Sequence, residues 1–181
     1  MKKLSTRKIK NSTLKFYYTD YGDYVNLSEA EKAKLECSIQ RILESVSYKT
    51  RQVTRCPNDI LLLCDNGVEI VGFMHIVPEK FNYENEPDRF DARKMYVDYI
   101  AVQSNFQGLG IASKLYNLSV AELAKSNTQK LSAILFDEYS RKAFFKTMQK
   151  NGVPIEENLF DGSVTANIKQ KAKNNVIIAE K

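Results

Sequence analysis

The 181-residue chain contains no tryptophan, a single histidine and three cysteines. A lone histidine, His75, excludes a histidine-based zinc site unless several carboxylates or thiols join it, and none stands at metal-ligand spacing. Cys37, Cys56 and Cys64 are odd in number and form no Cys-x-x-Cys pair, so reduced thiols in a cytoplasmic protein are expected. No apolar run approaches the ~20 residues that cross a bilayer, so no membrane association is expected. The start Met1-Lys2-Lys3-Leu4-Ser5-Thr6-Arg7-Lys8 is basic, and no apolar stretch follows it, so a secretory leader is not expected either. The lack of tryptophan and of any interleaved arginine/aromatic stripe ranks nucleic acid low among partners.

What is present is the composition of a soluble globular protein, 43% apolar and 27% charged, in a chain long enough for one domain with a core. The net charge is +5 and the pI about 9.0. Basic residues gather at both ends: Lys2, Lys3, Arg7, Lys8 and Lys10, then Lys169, Lys171, Lys173 and Lys181. Short runs of this kind are usually solvated tails or turns, and attraction to an anionic partner is the sharper alternative. We expect a basic N-terminal arm over 1–12 ahead of a single domain over 13–181.

Thr13 to Tyr18 favours a strand. Ser28 followed by Glu31 is a capping-box signature, and Leu35, Ile39, Ile42, Leu43 and Val46 then recur at helical spacing. Lys49 to Pro57 reads as a loop or short helix, and its Lys49, Arg51 and Arg55 could meet an anionic acceptor. Two apolar runs, Ile60 to Cys64 and Val68 to Val77, flank Asn66-Gly67, which predicts a hairpin because both residues tolerate positive φ. Pro78 is expected to end the second strand. The segment from Glu79 to Lys94, with Glu84, Glu86, Asp88 and Asp91, reads as a polar loop that could rim a cationic substrate. A strand to Val102, a helix carrying Ile111, Leu115, Leu118 and Leu123, a strand from Leu131 to Phe136 and a helix from about Tyr139 to Lys150 follow. Asn151-Gly152 closes that helix. Ser163 to Ile168 and Val176 to Ala179 read as final strands. This order predicts a mixed sheet of about six to seven strands with helices on both faces, an α/β (mixed α+β) fold.

The most informative stretch is Tyr96-Val97-Asp98-Tyr99-Ile100-Ala101-Val102-Gln103-Ser104-Asn105-Phe106-Gln107-Gly108-Leu109-Gly110-Ile111-Ala112-Ser113. It reads as a strand, a glycine turn and a helix start, where N–H groups and the macrodipole favour phosphate oxygens. A dinucleotide fingerprint needs a third glycine where Ser113 stands, and a Walker loop needs Gly-Lys-Ser/Thr, which is absent. A helix start that uses small residues only for packing is the plainer alternative. The form Gln-x-x-Gly-x-Ala followed by Ser113 resembles the acetyl-CoA pyrophosphate loop of the GNAT superfamily of N-acetyltransferases. The resemblance covers roughly Thr13 to Lys181 and is specific from Tyr96 to Gly152.

That resemblance implies acetyl-CoA as the acyl donor and no metal. It assigns the pyrophosphate to Gln107, Gly108, Leu109, Gly110, Ile111, Ala112 and Ser113, largely through backbone N–H, with Gly108, Gly110 and Ala112 allowing close approach. The backbone of Ile100, Ala101 and Val102 would bond the pantetheine arm, with Ser140 standing where the family has Asn. The amine acceptor must lose a proton before attack, and Asp98 is the candidate base: a carboxylate in an apolar strand calls for an explanation. Its alternative is a cap or a lysine pair. Where many members carry Glu, Tyr96 stands, and Tyr96 or Tyr99 could hold a water or the substrate. The family's acid tyrosine falls on Thr147 or Met148 here, leaving Tyr139, a water or no acid. His75 reads as a satisfied strand residue, with substrate contact as the alternative. No partner marks Cys56 or Cys64 as a nucleophile. The expected function is direct acetyl transfer from acetyl-CoA to a primary amine of a small molecule or protein, by a monomer or homodimer. The alternatives are a non-catalytic acyl-CoA-binding module, or a nucleic-acid- or ribosome-associated protein using the basic ends.

Overall fold

A computed structural model describes residues 1–9, 12–46, 53–80, 90–158, 160 and 162–169. The strands are β1 (Lys2–Ile9), β2 (Ser12–Asp20), β3 (Ile60–Asp65), β4 (Ile70–Lys80), β5 (Phe90–Val102), β6 (Lys130–Ile134), β7 (Ile155–Glu157) and β8 (Ser163–Asn167). The helices are α1 (Tyr21–Val25), α2 (Glu29–Ser45), α3 (Ile111–Leu123) and α4 (Glu138–Lys150). The strands form an eight-stranded mixed sheet in the order β1-β2-β3-β4-β5-β6-β8-β7. This is the mixed α+β class expected, with more strands than six to seven. The chain divides into two compact units, Met1–Ile76 with Asp98–Leu115, and Val77–Val97 with Tyr116–Lys181.

In the first unit β1, β2 and β3 are antiparallel neighbours, and β3 pairs with β4 through Leu61↔His75 and Leu63↔Phe73. The Asn66-Gly67 hairpin forms as expected, with the Asn66 side chain accepting from the N–H groups of Val68 and Glu69. α2 begins with the capping box read from the sequence: Ser28 accepts from the Glu31 N–H, and Glu31 accepts from the Ser28 N–H. Its Leu35, Ile39, Ile42 and Leu43 are buried against Leu61, Leu63, Phe73 and Ala101. Each such side chain contributes roughly 1.5–3 kcal/mol of burial.

In the second unit β5 pairs in parallel with β6 from Lys94↔Lys130 to Val97↔Ala133. β8 lies antiparallel between β6 and β7. The Tyr116 and Phe144 rings meet edge to face at 5.2 Å. Asp137 caps α4 by accepting from the Ser140 N–H. The helix ends on Gly152 at φ +62°, where Gly152 N–H bonds Gln149 C=O and Val153 N–H bonds Met148 C=O.

Four expectations change. The basic arm over 1–12 is instead largely strand β1, whose polar residues suit an edge that has one neighbour. Pro78 does not end β4, which runs to Lys80; the β3 ladder already stops at Ile76, so no N–H is needed there for that partner. The loop expected over Glu79 to Lys94 is shortened from both sides by β4 and β5. β6 stops at Ile134 rather than Phe136, because the chain must turn for Asp137 to cap α4. Lys10, Lys49, Arg51, Glu84, Glu86, Asp88, Lys171, Lys173, Lys181 and the Val176 to Ala179 strand lie outside the described residues.

Candidate active site

β5 leads through a 3-10 turn at Ser104–Phe106 into the Gln107–Gly110 loop and α3. Gly108 and Gly110 both adopt φ +74°, a conformation that side chains with a Cβ disfavour. A Cβ on Gly108 would meet open space, so its glycine answers to backbone conformation. At Gly110 the same atom would lie 3.1 Å from Arg7 Nη1. Gln107, Gly108 and Gly110 are exposed. The first bond of the α3 ladder runs from Lys114 N–H to Gly110 C=O, which leaves the Ile111 and Ala112 N–H groups ahead of it. These are donors at a positive helix end, the arrangement that suits a pyrophosphate.

Three side chains hold that loop. Gln107 Nε2 donates to Val102 C=O at 3.1 Å, a side-chain role beyond its expected backbone one. Ser104 Oγ donates to Ser45 C=O at 3.1 Å. Arg7 Nη1 donates to Leu109 C=O at 3.0 Å. Arg7 had the look of a solvated tail residue, and β1 carries it to the loop instead. Behind the loop, a Cβ on Gly72 would lie 3.1 Å from Ile111 Cγ2 and 3.4 Å from Ala101 C=O. Among the described residues the parallel ladder with β6 ends at Val97, while β5 runs on through Ile100, Ala101 and Val102.

Asp98 is paired with His75, not with a lysine. Its Oδ2 lies 3.0 Å from His75 Nδ1, and its side chain is 36% exposed. His75 is fully buried, and its Nε2 lies 3.0 Å from Asp59 Oδ2. Asp59, also fully buried, accepts from Arg55 Nε at 2.7 Å, Arg55 Nη2 at 2.8 Å and the Cys56 N–H at 3.1 Å. Arg55 lies 4.7 Å over the Tyr24 ring. The arginine expected to meet an anionic acceptor is therefore buried in a structural ion pair, because its guanidinium fits the Asp59 carboxylate in a two-point grip. Asp59 reaches it through a tight turn: Asp59 N–H bonds Cys56 C=O across Pro57 and Asn58, with Asn58 at φ 65°.

The cluster sets its own charge states. Burial pushes the Asp59 carboxyl up, but hydrogen bonds from His75 and Arg55 outweigh this and hold it below the usual range. Burial likewise opposes a charged His75, yet its bonds to Asp59 and Asp98 raise it above the ordinary histidine value. Burial pushes the Cys64 thiol up to about 12, so it is no nucleophile near neutral pH.

In the second unit Tyr96 lines a cavity of about 520 Å³ with Glu79, Glu156 and Glu157. Glu156 pairs with Lys130 and Glu157 with Arg141. Tyr139 is 86% exposed at the start of α4. Ser140 donates its hydroxyl to Asp137 Oδ2 at 2.7 Å, so its side chain already serves the cap. Thr147 and Met148 are buried.

Sequence reasoning missed the partnership of Arg55, Asp59, His75 and Asp98. One signal was available. The Asn66-Gly67 hairpin sets Leu61 opposite His75, which places Asp59 diagonally across from the histidine on the same face.

The sequence pattern of the Acetyltransferase (GNAT) family matches residues 25–148. No curated protein matches the chain in sequence. Among solved structures, the GNAT domain of S. lividans PAT is similar at a TM-score of 0.57 and 16% identity, over 91% of this chain and 93% of that one. The ribosomal-protein-S18-alanine N-acetyltransferase from Escherichia coli gives 0.52 and 11%, over 84% and 91%. The CoA-dependent acyl-homoserine lactone synthase BjaI, with SAM and isopentyl-CoA, gives 0.57 and 13%, over 88% and 86%. Identities this low speak to the fold alone.

Proposed function

The chain belongs to the Acetyltransferase (GNAT) family, and on that premise we propose that it transfers an acetyl group directly from acetyl-CoA to a primary amine of a small molecule or protein. The observation that carries this is the Gly108/Gly110 loop at the head of α3, reached from a strand that bears a part-exposed carboxylate, Asp98. The loop N–H groups would hold the pyrophosphate, and the run of β5 from Ile100 to Val102, beyond its ladder with β6, the pantetheine amides.

An alkyl amine with pKa ~10.4 is neutral in only about one molecule in a few thousand at pH 7. Asp98 would accept the ammonium proton, directly or through a water, and the freed amine would attack the thioester carbonyl. The C–N bond forms, the C–S bond breaks, and the CoA thiolate leaves. With a thiol pKa of ~8.5, that thiolate departs readily, and it takes the second proton that the nitrogen sheds once the C–N bond has formed, directly or through water. Holding thioester and amine together supplies most of the acceleration in this reading.

The test is ligand binding followed by turnover. Acetyl-CoA at about 100 times its dissociation constant adds ~2.7 kcal/mol of stability. That is a rise of roughly 5–10 °C in unfolding temperature for a domain of this size. No rise sinks the reading. CoA release with a panel of amines then separates an enzyme from a non-catalytic acyl-CoA module, which binds and releases nothing.

A further inference from the structure

We propose that His75 is a positioning residue for the acetyl transfer: locked between Asp59 and Asp98 as an imidazolium, it fixes the Asp98 carboxylate with Oδ1 left for the acceptor amine. The inference rests on Asp98 as base and adds the device that sets it.

The argument starts from proton counting. A neutral imidazole has one N–H. Both His75 ring nitrogens lie 3.0 Å from carboxylate oxygens, one of Asp98 and one of Asp59. With a neutral ring, one nitrogen lone pair would face a carboxylate lone pair in a fully buried setting. A second ring proton removes that conflict. Asp59 is not available to supply it by protonation, because Arg55 grips both its oxygens. The charges then balance: Arg55 and His75 against Asp59 and Asp98. Charge balance is the condition under which buried charges are tolerated. Of the buried side-chain polar atoms in the set, Arg55 Nη1 alone lacks a hydrogen-bond partner among the described residues.

Among the described residues those four are the charged groups in hydrogen-bond contact with His75 or its partners, and the Tyr24 phenol beside Arg55 donates its proton to Glu36. Among the described residues, His75 is the hydrogen-bond partner of Asp98, and it uses Oδ2. Oδ1 therefore stays open on the part-exposed side chain. An adjacent cation weakens a carboxylate as a proton acceptor. What His75 gives in return is direction. The carboxylate cannot swing, and the ring cannot rotate because Asp59 holds its other nitrogen. The imidazolium does not exchange its proton in the reaction; Asp98 alone takes one from the ammonium.

His75 is the chain's one histidine, so histidine-selective 15N labelling reports on this ring without assignment. At pH 7.5 an ordinary histidine with pKa ~6.5 is about one-tenth protonated. We expect both ring nitrogens of His75 to carry protons in most molecules at that pH, and Asp98→Asn to move the ring's titration to lower pH. A ring that is mainly neutral at pH 7.5, or whose titration ignores Asp98→Asn, overturns the proposal. This arm uses the native protein and stands if His75→Gln fails to fold.

The second arm is the split between kcat and KM for CoA release with the best amine. His75→Gln leaves a polar side chain but frees the Asp98 carboxylate to swing, so the loss should fall on kcat. At the optimum kcat should fall about 10-fold, part of the 10²–10⁴ that a placed base contributes, with KM for acetyl-CoA within about 2-fold. A kcat within about 2-fold of the native value, or a KM for acetyl-CoA that worsens in step with kcat, means a structural role only and rejects the proposal. If no amine is acetylated by the native protein, the functional reading falls, and the 15N arm alone then decides whether His75 is a cation bound to Asp98.

Discussion

The donor loop and the buried ion cluster lie in the same compact unit and are built by opposite means. The loop, Gln107 to Gly110, is contiguous in sequence, largely exposed, and made of backbone whose conformation two glycines permit. The cluster gathers Arg55, Asp59, His75 and Asp98 from separate places, and its strength lies in side-chain charges removed from water. Changes in the loop should therefore appear as lost ligand affinity. Changes in the cluster should appear as lost stability or altered proton chemistry. Each expected outcome below breaks that division or narrows it.

The largest effect is expected at Asp98, the one member of the cluster that reaches solvent. Asp98→Asn should lower kcat about 10²- to 10⁴-fold, the range for a placed base, while calorimetry finds acetyl-CoA affinity within 2-fold. Full activity in this variant would remove Asp98 from the chemistry.

Next is Asp59→Asn, which strands Arg55 and His75 in the core. Breaking one side of a buried ion pair costs about 3–5 kcal/mol, so urea unfolding should show a loss of that size while the folded variant still binds acetyl-CoA. The pH dependence refines this. His75 has a raised pKa, so its stabilisation is complete below ~6.5 and is lost as pH rises through the higher folded value. Asp59 has a lowered pKa, so its contribution is complete above ~3.9 and is lost as pH falls through the lower folded value. The cluster thus supports the fold most between roughly pH 4 and 6.5. The stability gap between the native protein and His75→Gln should narrow as pH rises from 6 to 9; a gap that widens contradicts the linkage.

Gly110→Ala tests the loop. Holding a Cβ residue at φ +74° costs about 1–2 kcal/mol, and the displaced loop should bind acetyl-CoA about 10-fold more weakly by the same calorimetry. Unchanged affinity would mean that the loop does not hold the donor.

The smallest effect belongs to Arg7→Ala. One exposed hydrogen bond to the loop is worth about 0.5–1.5 kcal/mol. Acetyl-CoA affinity should fall 2- to 5-fold with kcat unchanged, and a loss beyond 10-fold would indicate that Arg7 itself touches the ligand.

The same contrast explains what could be read from the sequence. The loop was legible because glycines, strand and helix start are neighbours, and local conformation writes itself in consecutive residues. The capping box at Ser28 and the Asn66-Gly67 hairpin were legible for the same reason. The cluster was not, because nothing in the pattern around Arg55 or His75 says that they share a partner; that depends on strand register and on the turn at Pro57-Asn58. Edge strands were also hard to read. β1 has little apolar patterning, and β7, at three residues, is too short to show any.

β1 carries one further consequence. It closes one margin of the sheet, where a row of N–H and C=O groups has no neighbouring strand among the described residues. Such a margin is a template on which a second molecule's strand can grow. Lys2, Lys3 and Lys8 stand along it, and like charges brought together by two such margins would repel. The expected outcome is that these lysines keep two copies from pairing edge to edge, a protection that salt, by screening, should weaken and that light scattering at low and high salt checks.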